Sequence, residues 1–384
     1  MINFTAFNPT RLHFGKGSTS ELGIAASRLG KHALLVYGGG SVKRNGSYSD
    51  TLEQLEKHHI RVTEYAGIKP NPRVEDVTSA AKLGRAAGVD MVIAVGGGSA
   101  IDSAKIIAIC IAEDCDAWEV MTRSHKPVSA LPLITVLTLA ATGTEMNGTA
   151  VLQNSETRQK IGFNNELIYP VHSFLDPSYT LSVPPTQTAY GIVDLVAHCL
   201  EAWFGEGNAS LSDRFVIAII REAMEYGPQL IQEPDSYILR AKIMWAATNA
   251  LNNMTLYARK SGDWGIHALG HTLSFLYDTP HGASLSIFYP AWIKTMRIRA
   301  HARIESLGKE LFGSRDPDQI SQDLMEFFSA LGSPVKCQEA GIDPSREDEI
   351  LQLLNQNKAG GLHFPLSDRE REEILSYTWI GRAN

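Results

Sequence analysis

Twice within the first hundred residues, an apolar run of strand length ends in three glycines and a serine. Ala33-Leu34-Leu35-Val36-Tyr37 leads into Gly38-Gly39-Gly40-Ser41, and Met91-Val92-Ile93-Ala94-Val95 leads into Gly96-Gly97-Gly98-Ser99. Unbroken apolar runs mark strands buried on both faces, as in a parallel sheet. Parallel neighbours need crossover connections, and helical spacing supplies them over residues 50–58, over Val74 to Ala87 and in AIDSAKIIAICIA after Ser99. Ile60 to Tyr65 and Leu133 to Leu137 add strands, and residues 149–163 (TAVLQNSETRQKIGF) predict a hairpin with a polar turn. From about Pro184, long helical patterns follow one another at 185–204, 210–226, 236–257, 262–277 and beyond. The expected architecture is an α/β domain over residues 1–181 and an all-helical domain over 182–384, with a ligand cleft between them.

The chain has 384 residues, 44% of them hydrophobic and 20% charged, which is enough for two cores. Its net charge of −7, from 35 basic and 42 acidic residues, disfavours a dedicated nucleic-acid binder. Cys110, Cys115, Cys199 and Cys337 form no CxxC pair, which suits a reducing compartment. The start, MINFTAFNPTRLHFGKG, lacks the apolar run of a signal peptide, and no stretch approaches a membrane span. A cytoplasmic protein without membrane or nucleic-acid partners is expected.

Gly96, Gly97, Gly98 and Ser99 lie where a strand gives way to a helix. Glycines there let a phosphate approach the free N–H groups of the helix N-terminus. Ser99 is placed to cap that helix, with Asp102 three residues on in capping-box spacing. The pattern is not G-x-G-x-x-G, and a tight turn with a good cap is the plain structural alternative. In the first loop, Gly38, Gly39 and Ser41 precede Lys43 and Arg44 with no acidic residue. An acid near the adenosine ribose favours NAD, whereas small and basic groups admit a 2′-phosphate, so this loop points to NADP. Asn71, held between two prolines in Lys69-Pro70-Asn71-Pro72, is a further candidate contact.

Asp194 and His198 are four residues apart on a predicted helix, and so are His267 and His271, so each pair shares a face. His281 follows in Pro280-His281-Gly282. Three of the chain's twelve histidines fall within fifteen residues. One carboxylate with two or three imidazoles makes a site for divalent zinc or iron. A helix-face Asp–His hydrogen bond is the plain alternative. Glu201 is a secondary ligand candidate, and Cys199 turns away by about 100° of helical rotation.

These motifs, with TRLHFGKG (10–17), KPNP (69–72), GGGSAIDSAK (96–105), LTLAATGTE (137–145), GIVDLVAHCLE (191–201) and GIHALGHTLSFLYDTPHG (265–282), resemble the iron-containing alcohol dehydrogenase family. Within it, the sequence is most similar to the NADPH-dependent butanol dehydrogenase and aldehyde reductase-like branch. The resemblance implies a dehydroquinate synthase-like architecture with an N-terminal dinucleotide-binding α/β domain and a helical metal-binding domain. It places the metal ligands on Asp194, His198, His267 and His281, and His271 near the nicotinamide. It assigns the pyrophosphate loop to Gly96–Ser99 with Asp102 behind, and further cofactor contacts to Thr138, Thr142 and Lys160. LTLAATGTE departs from the wider family's spelling at Leu139 and Ala141. A homodimer is implied through the N-terminal strands.

The implied chemistry is hydride transfer between NADP(H) and a small primary alcohol or aldehyde, aided by one Fe2+ or Zn2+ as a Lewis acid. His271 is the candidate for a proton relay. The alternative is a same-fold NAD-dependent polyol dehydrogenase of the glycerol type. A lyase of that fold would need a basic pocket, which the residues around His267 and His281 do not provide. A metal-dependent hydrolase or a metal-storage protein would have no use for two glycine loops.

Overall fold

The computed structural model describes residues 2–381, so the expected bounds at 1 and 384 lie outside the described residues. The chain forms two compact units. One gathers residues 7–184 and 233–248, and the other gathers residues up to 6, 185–232 and from 249 onward. Residues 233–248, expected in the helical half, group with the first unit for a packing reason. Met244, on the helix Tyr237–Ala250, enters that unit's core, and Thr248 Oγ1 donates to the buried Glu145 Oε1 at 2.5 Å.

The first unit holds eight strands: β1 (Arg11–Phe14), β2 (His32–Tyr37), β3 (Arg61–Ala66), β4 (Met91–Gly96), β5 (Leu133–Leu137), β6 (Thr149–Asn154), β7 (Gln159–Asn164) and β8 (His172–Leu175). Six of them form a parallel sheet in the order β1-β8-β5-β4-β2-β3, and β6 and β7 form the antiparallel hairpin foreseen from the sequence. Alternation splits each central strand between two cores. Leu34, Val36, Val92 and Ala94 pack with Val77, Ile101 and Ala104 on one face. Ala33, Leu35, Tyr37, Ile93 and Val95 pack with Leu22 and Leu55 on the other. Every residue of β2, β4 and β5 is buried, as their unbroken apolar runs require.

From β2 the chain moves outward to β3, then returns to place β4 on β2's other side. That reversal is a topological switch point, where ligands of open α/β sheets sit beyond the strands' carboxyl ends. The Gly38–Ser41 and Gly96–Ser99 loops leave those two strand ends. β1 and β8 carry no strand signal in the sequence reading, and at four residues each they are too short for a period to show.

The second unit is helical; every strand among the described residues lies between Arg11 and Leu175. Its site-bearing helices are Pro185–Trp203, Gly265–Tyr277 and His281–Thr295. No helix among the described residues is long and apolar enough to cross a membrane.

Candidate metal and cofactor sites

The metal candidates converge within the second unit. Asp194 and His198 occupy adjacent turns of the helix Pro185–Trp203, and His198 Nε2 stands 3.7 Å from Asp194 Oδ1. His267 Nε2 stands 3.7 Å from the same oxygen and His281 Nε2 3.6 Å. His281 opens its helix, and Gly282 brings that helix start against the first helix, since a Cβ there would meet Tyr190 O at 2.1 Å. Only glycine allows that approach.

Asp194 Oδ1 and His267 Nε2 are buried, and neither makes a hydrogen bond. A buried carboxylate oxygen without a donor is costly. Three ring nitrogens just beyond hydrogen-bond reach of it suit a shared cation, whose neighbouring donors stand roughly 3.4 Å apart when each is about 2.1 Å from the ion. Asp194, His267 and His281 each offer a ligand atom within 4.8 Å of the others. The residues fit the divalent ion that the resemblance implies.

Electrostatics agree with that fit. Burial would raise the Asp194 carboxyl, but His198, His281 and His267 around it hold it well below the carboxylate range. Burial pushes His198 down to about 4 against the pull of Asp194. Burial also acts to lower His267, yet Asp194 and Glu201 on either side raise it to about 9. Two carboxylates thus share one imidazole, leaving a place for positive charge.

Glu201, a secondary ligand candidate in the sequence, has a different position. Its Oε1 accepts His267 Nδ1 at 2.9 Å together with the backbone N–H groups of Ile266 (3.1 Å) and His267 (3.0 Å). The helix Gly265–Tyr277 has no side-chain cap from its own N-cap, Trp264, so Glu201 caps it from another helix. The same bond fixes a proton on Nδ1 and leaves Nε2 facing Asp194. The signal was present: residues 194, 198 and 201 follow the i, i+4, i+7 spacing of one helix face. His271 lies one turn beyond His267, half-buried, with its ring 5.7 Å from that of His281.

The cofactor candidates belong to the first unit. Gly98 opens the helix Gly98–Glu113, and a Cβ there would meet Thr142 Cγ2 at 2.7 Å, so this loop and the threonine segment are in close contact. Thr138 N donates to Gly96 O at 3.0 Å. The capping expectation for Ser99 does not hold. Gly97 is the N-cap and has no side chain to cap the helix; Ala100 N and Ile101 N donate back to Gly97 O at 3.1 and 3.3 Å, which leaves the N–H groups of Gly98 and Ser99 to meet an anion. Asp102 faces the other way: Oδ1 accepts Thr144 Oγ1 at 2.6 Å and Oδ2 accepts Val151 N at 2.9 Å. Behind it, Lys105 is fully buried, and its Nζ donates to Thr144, Asn147 and Thr149 oxygens at 2.7–3.1 Å. Lys160 Nζ donates to Asn71 Oδ1 at 2.8 Å, joining two candidates 89 positions apart.

At the first loop, Gly39 and Ser41 are exposed, Gly38 is half-buried, and a Cβ on Gly39 would meet nothing within 4 Å. Lys43 Nζ lies 4.7 Å from the Tyr48 ring centroid and 5.6 Å from that of Tyr37. Both tyrosine hydroxyls donate to Glu64 on β3, at 2.7 Å from Tyr37 and 2.9 Å from Tyr48. Sequence reasoning missed this acid because strand pairing, not chain proximity, brings it here.

Residues 9–177 match the family described as iron-containing alcohol dehydrogenase, and residues 188–373 match its C-terminal counterpart. The chain belongs to the iron-containing alcohol dehydrogenase family. Among its relatives in that family, a probable NADH-dependent butanol dehydrogenase 1 of Bacillus subtilis is 38% identical, with 98% of each chain covered. The NADPH-dependent aldehyde reductase YqhD of Escherichia coli is 36% identical, with 93% of this chain and 94% of that one covered. The crystal structure of NADH-dependent butanol dehydrogenase A from Thermotoga maritima superposes with a TM-score of 0.94, at 36% identity and 99% coverage of both chains. The expected fold class, an α/β unit with a helical C-terminal part, is that of these iron-containing alcohol dehydrogenases.

Proposed function

We propose that this alcohol dehydrogenase family member transfers hydride between NADP(H) and a small primary alcohol or aldehyde, working mainly as an aldehyde reductase. Asp194, His198, His267 and His281 are the proposed ligands of one iron(II) or zinc ion. The observation that carries the reading is the single buried carboxylate oxygen of Asp194 with three Nε2 atoms at 3.6–3.7 Å. A bound divalent ion supplies Lewis acidity toward the substrate oxygen, and the nicotinamide supplies the hydride chemistry.

The chain's own groups do the positioning. Glu201 holds His267 in one tautomer through Nδ1. His271, beside His281, is the proposed proton relay. Gly96, Gly97, Gly98 and Ser99 present backbone N–H groups to the pyrophosphate, with Asp102 anchoring the helix behind them. Thr138, Thr142, Lys160 and Asn71 are further proposed cofactor contacts. Gly38, Gly39 and Ser41 take the adenosine ribose end.

The relatives divide between NADH and NADPH, so cofactor preference rests on the first loop. An acid-free loop with Lys43 close behind favours the 2′-phosphate, while Glu64 is engaged by two tyrosine hydroxyls. The glycerol-type polyol alternative is less favoured, given relatives described as butanol dehydrogenases and an aldehyde reductase. A cytoplasmic homodimer is proposed, supported by β1, whose outer edge is unpaired among the described residues.

Initial rates of butanal reduction with NADPH and, separately, NADH test the reading. Turnover should favour NADPH, and Ser41→Asp should shift preference toward NADH by repelling the 2′-phosphate. An unchanged preference in Ser41→Asp would mean that this loop does not read the phosphate.

A further inference from the structure

A second group of ligating side chains lies in the sheet-bearing unit, at the far end of the helix Gly98–Glu113 from the glycine loop. Glu113, Cys115 and His125 each offer a ligand atom, and the three atoms lie within 4.8 Å of one another. Cys110 Sγ is 3.9 Å from Cys115 Sγ. The chain brings them together by reversing sharply: the helix ends at Asp114 in a left-handed conformation, and Asp116 caps the short helix Ala117–Met121 by accepting Trp118 N and Glu119 N. His125 N then donates to Glu119 O at 3.0 Å, which turns the imidazole back toward Glu113.

Part of this cluster explains itself. Glu113 Oε1 accepts Val128 N, Ser129 N and Ser129 Oγ, tying the helix end to the loop before β5. His125 Nε2 lies 2.6 Å from Glu113 Oε2. That contact does not account for two thiols beside it. A disulfide needs sulfurs about 2.05 Å apart. Two thiolates on one tetrahedral zinc, each about 2.3 Å from the ion, stand about 3.8 Å apart, close to the separation found here. Thiolate and imidazole with one carboxylate is a soft, borderline set that selects zinc-class ions over magnesium or calcium. His125 is 30% exposed at its side chain, so the cluster is open to an ion from solvent, while Cys110 is buried beneath it.

We propose that Glu113, Cys115 and His125, with Cys110 as the fourth donor, form a second, structural site for a zinc-class divalent ion. Binding replaces the proton between His125 Nε2 and Glu113 Oε2 and the thiol protons, all released to solvent. The ion then clamps the end of the helix Gly98–Glu113 to the loop that leads into β5. This site is independent of the Asp194 cluster, whose proposed ligands include no sulfur.

Cobalt(II) titrated into the full-length, reduced protein under anaerobic conditions tests the proposal, because thiolate ligation gives an intense near-ultraviolet charge-transfer band. The band should appear in the wild type, weaken in Cys115→Ser, where one thiolate remains, vanish when Cys110→Ser is added to Cys115→Ser, and weaken in His125→Gln. Competition with a chelator should show at least a 10-fold loss of affinity at this site in His125→Gln. Circular dichroism checks that each variant is folded. If Cys115→Ser proves unfolded, the band and affinity in His125→Gln decide alone. No thiolate band in the wild type at saturating cobalt overturns the proposal. So does a band that is undiminished in folded Cys115→Ser, that persists in the folded variant carrying both Cys110→Ser and Cys115→Ser, or that is unchanged in His125→Gln.

Discussion

Replacing Glu201 separates its two jobs. In Glu201→Ala, the backbone N–H groups of Ile266 and His267 and the Nδ1–H of His267 lose their shared acceptor inside the protein. Each stranded buried donor costs about 1–3 kcal/mol. Part returns through Asp263, whose carboxyl is raised to about 6 by burial and by the neighbouring Glu201 charge, and which would be relieved of that repulsion. The net expectation for the metal-free protein is a loss of about 3–5 kcal/mol. Glu201→Gln keeps an acceptor for the helix N-terminus, so stability should fall by only about 1 kcal/mol. It removes the negative charge that holds the imidazole, so metal affinity should fall about 10–100-fold, or about 1.4–2.7 kcal/mol. Urea denaturation of the metal-free variants reads the first effect, and chelator competition reads the second. Wild-type metal affinity in Glu201→Gln would refute the tautomer argument. A loss under 1 kcal/mol in Glu201→Ala would refute the capping argument.

Lys105→Met should destabilise by about 3–5 kcal/mol in urea denaturation, because Asp102 and Glu145 would stay buried without their cation; an effect under 1 kcal/mol would mean water replaces it. Asp213 lies between Arg303, which grips both its oxygens at 2.7–3.0 Å, and Arg259. Burial opposes, but the two guanidiniums hold its carboxyl below the usual value, so its contribution is complete above the ordinary aspartate pKa and is lost as pH falls below it. Asp213→Asn should therefore cost roughly 2 kcal/mol at pH 7, with the gap to wild type closing in acid; a pH-independent gap would contradict this.

The parts of the fold that could be read from the sequence are those whose signal is local. β2, β4 and β5 are continuous apolar runs because both their faces are buried, and the helix Val74–Ala87 keeps its period because one face is buried. β1 and β8 were not legible, since four-residue strands containing His13 and His172 show no period. The helix expected over 236–257 stops at Ala250, and its residues up to 248 join the sheet unit, a tertiary choice that no local pattern records. Among the metal candidates, helical spacing placed Asp194 with His198, but only packing at Gly282 brings His281 to them. Ser99 illustrates the opposite error: a good cap by composition, displaced because the backbone turns two residues earlier, at Gly97. Glu64 and the five-acceptor seat of Lys105 depend on contacts between distant segments, so residue type alone could not reveal them.

Turnover of protein stripped of metal and reloaded anaerobically with iron(II) or zinc, in wild type and His281→Ala, bears most directly on the central claim. Stripped wild type should be inactive in butanal reduction with NADPH and should recover on reloading. His281→Ala should remain folded, bind metal weakly and stay inactive. Full activity in the stripped wild type, or in metal-free His281→Ala, would contradict a reaction that depends on an ion held by Asp194, His198, His267 and His281.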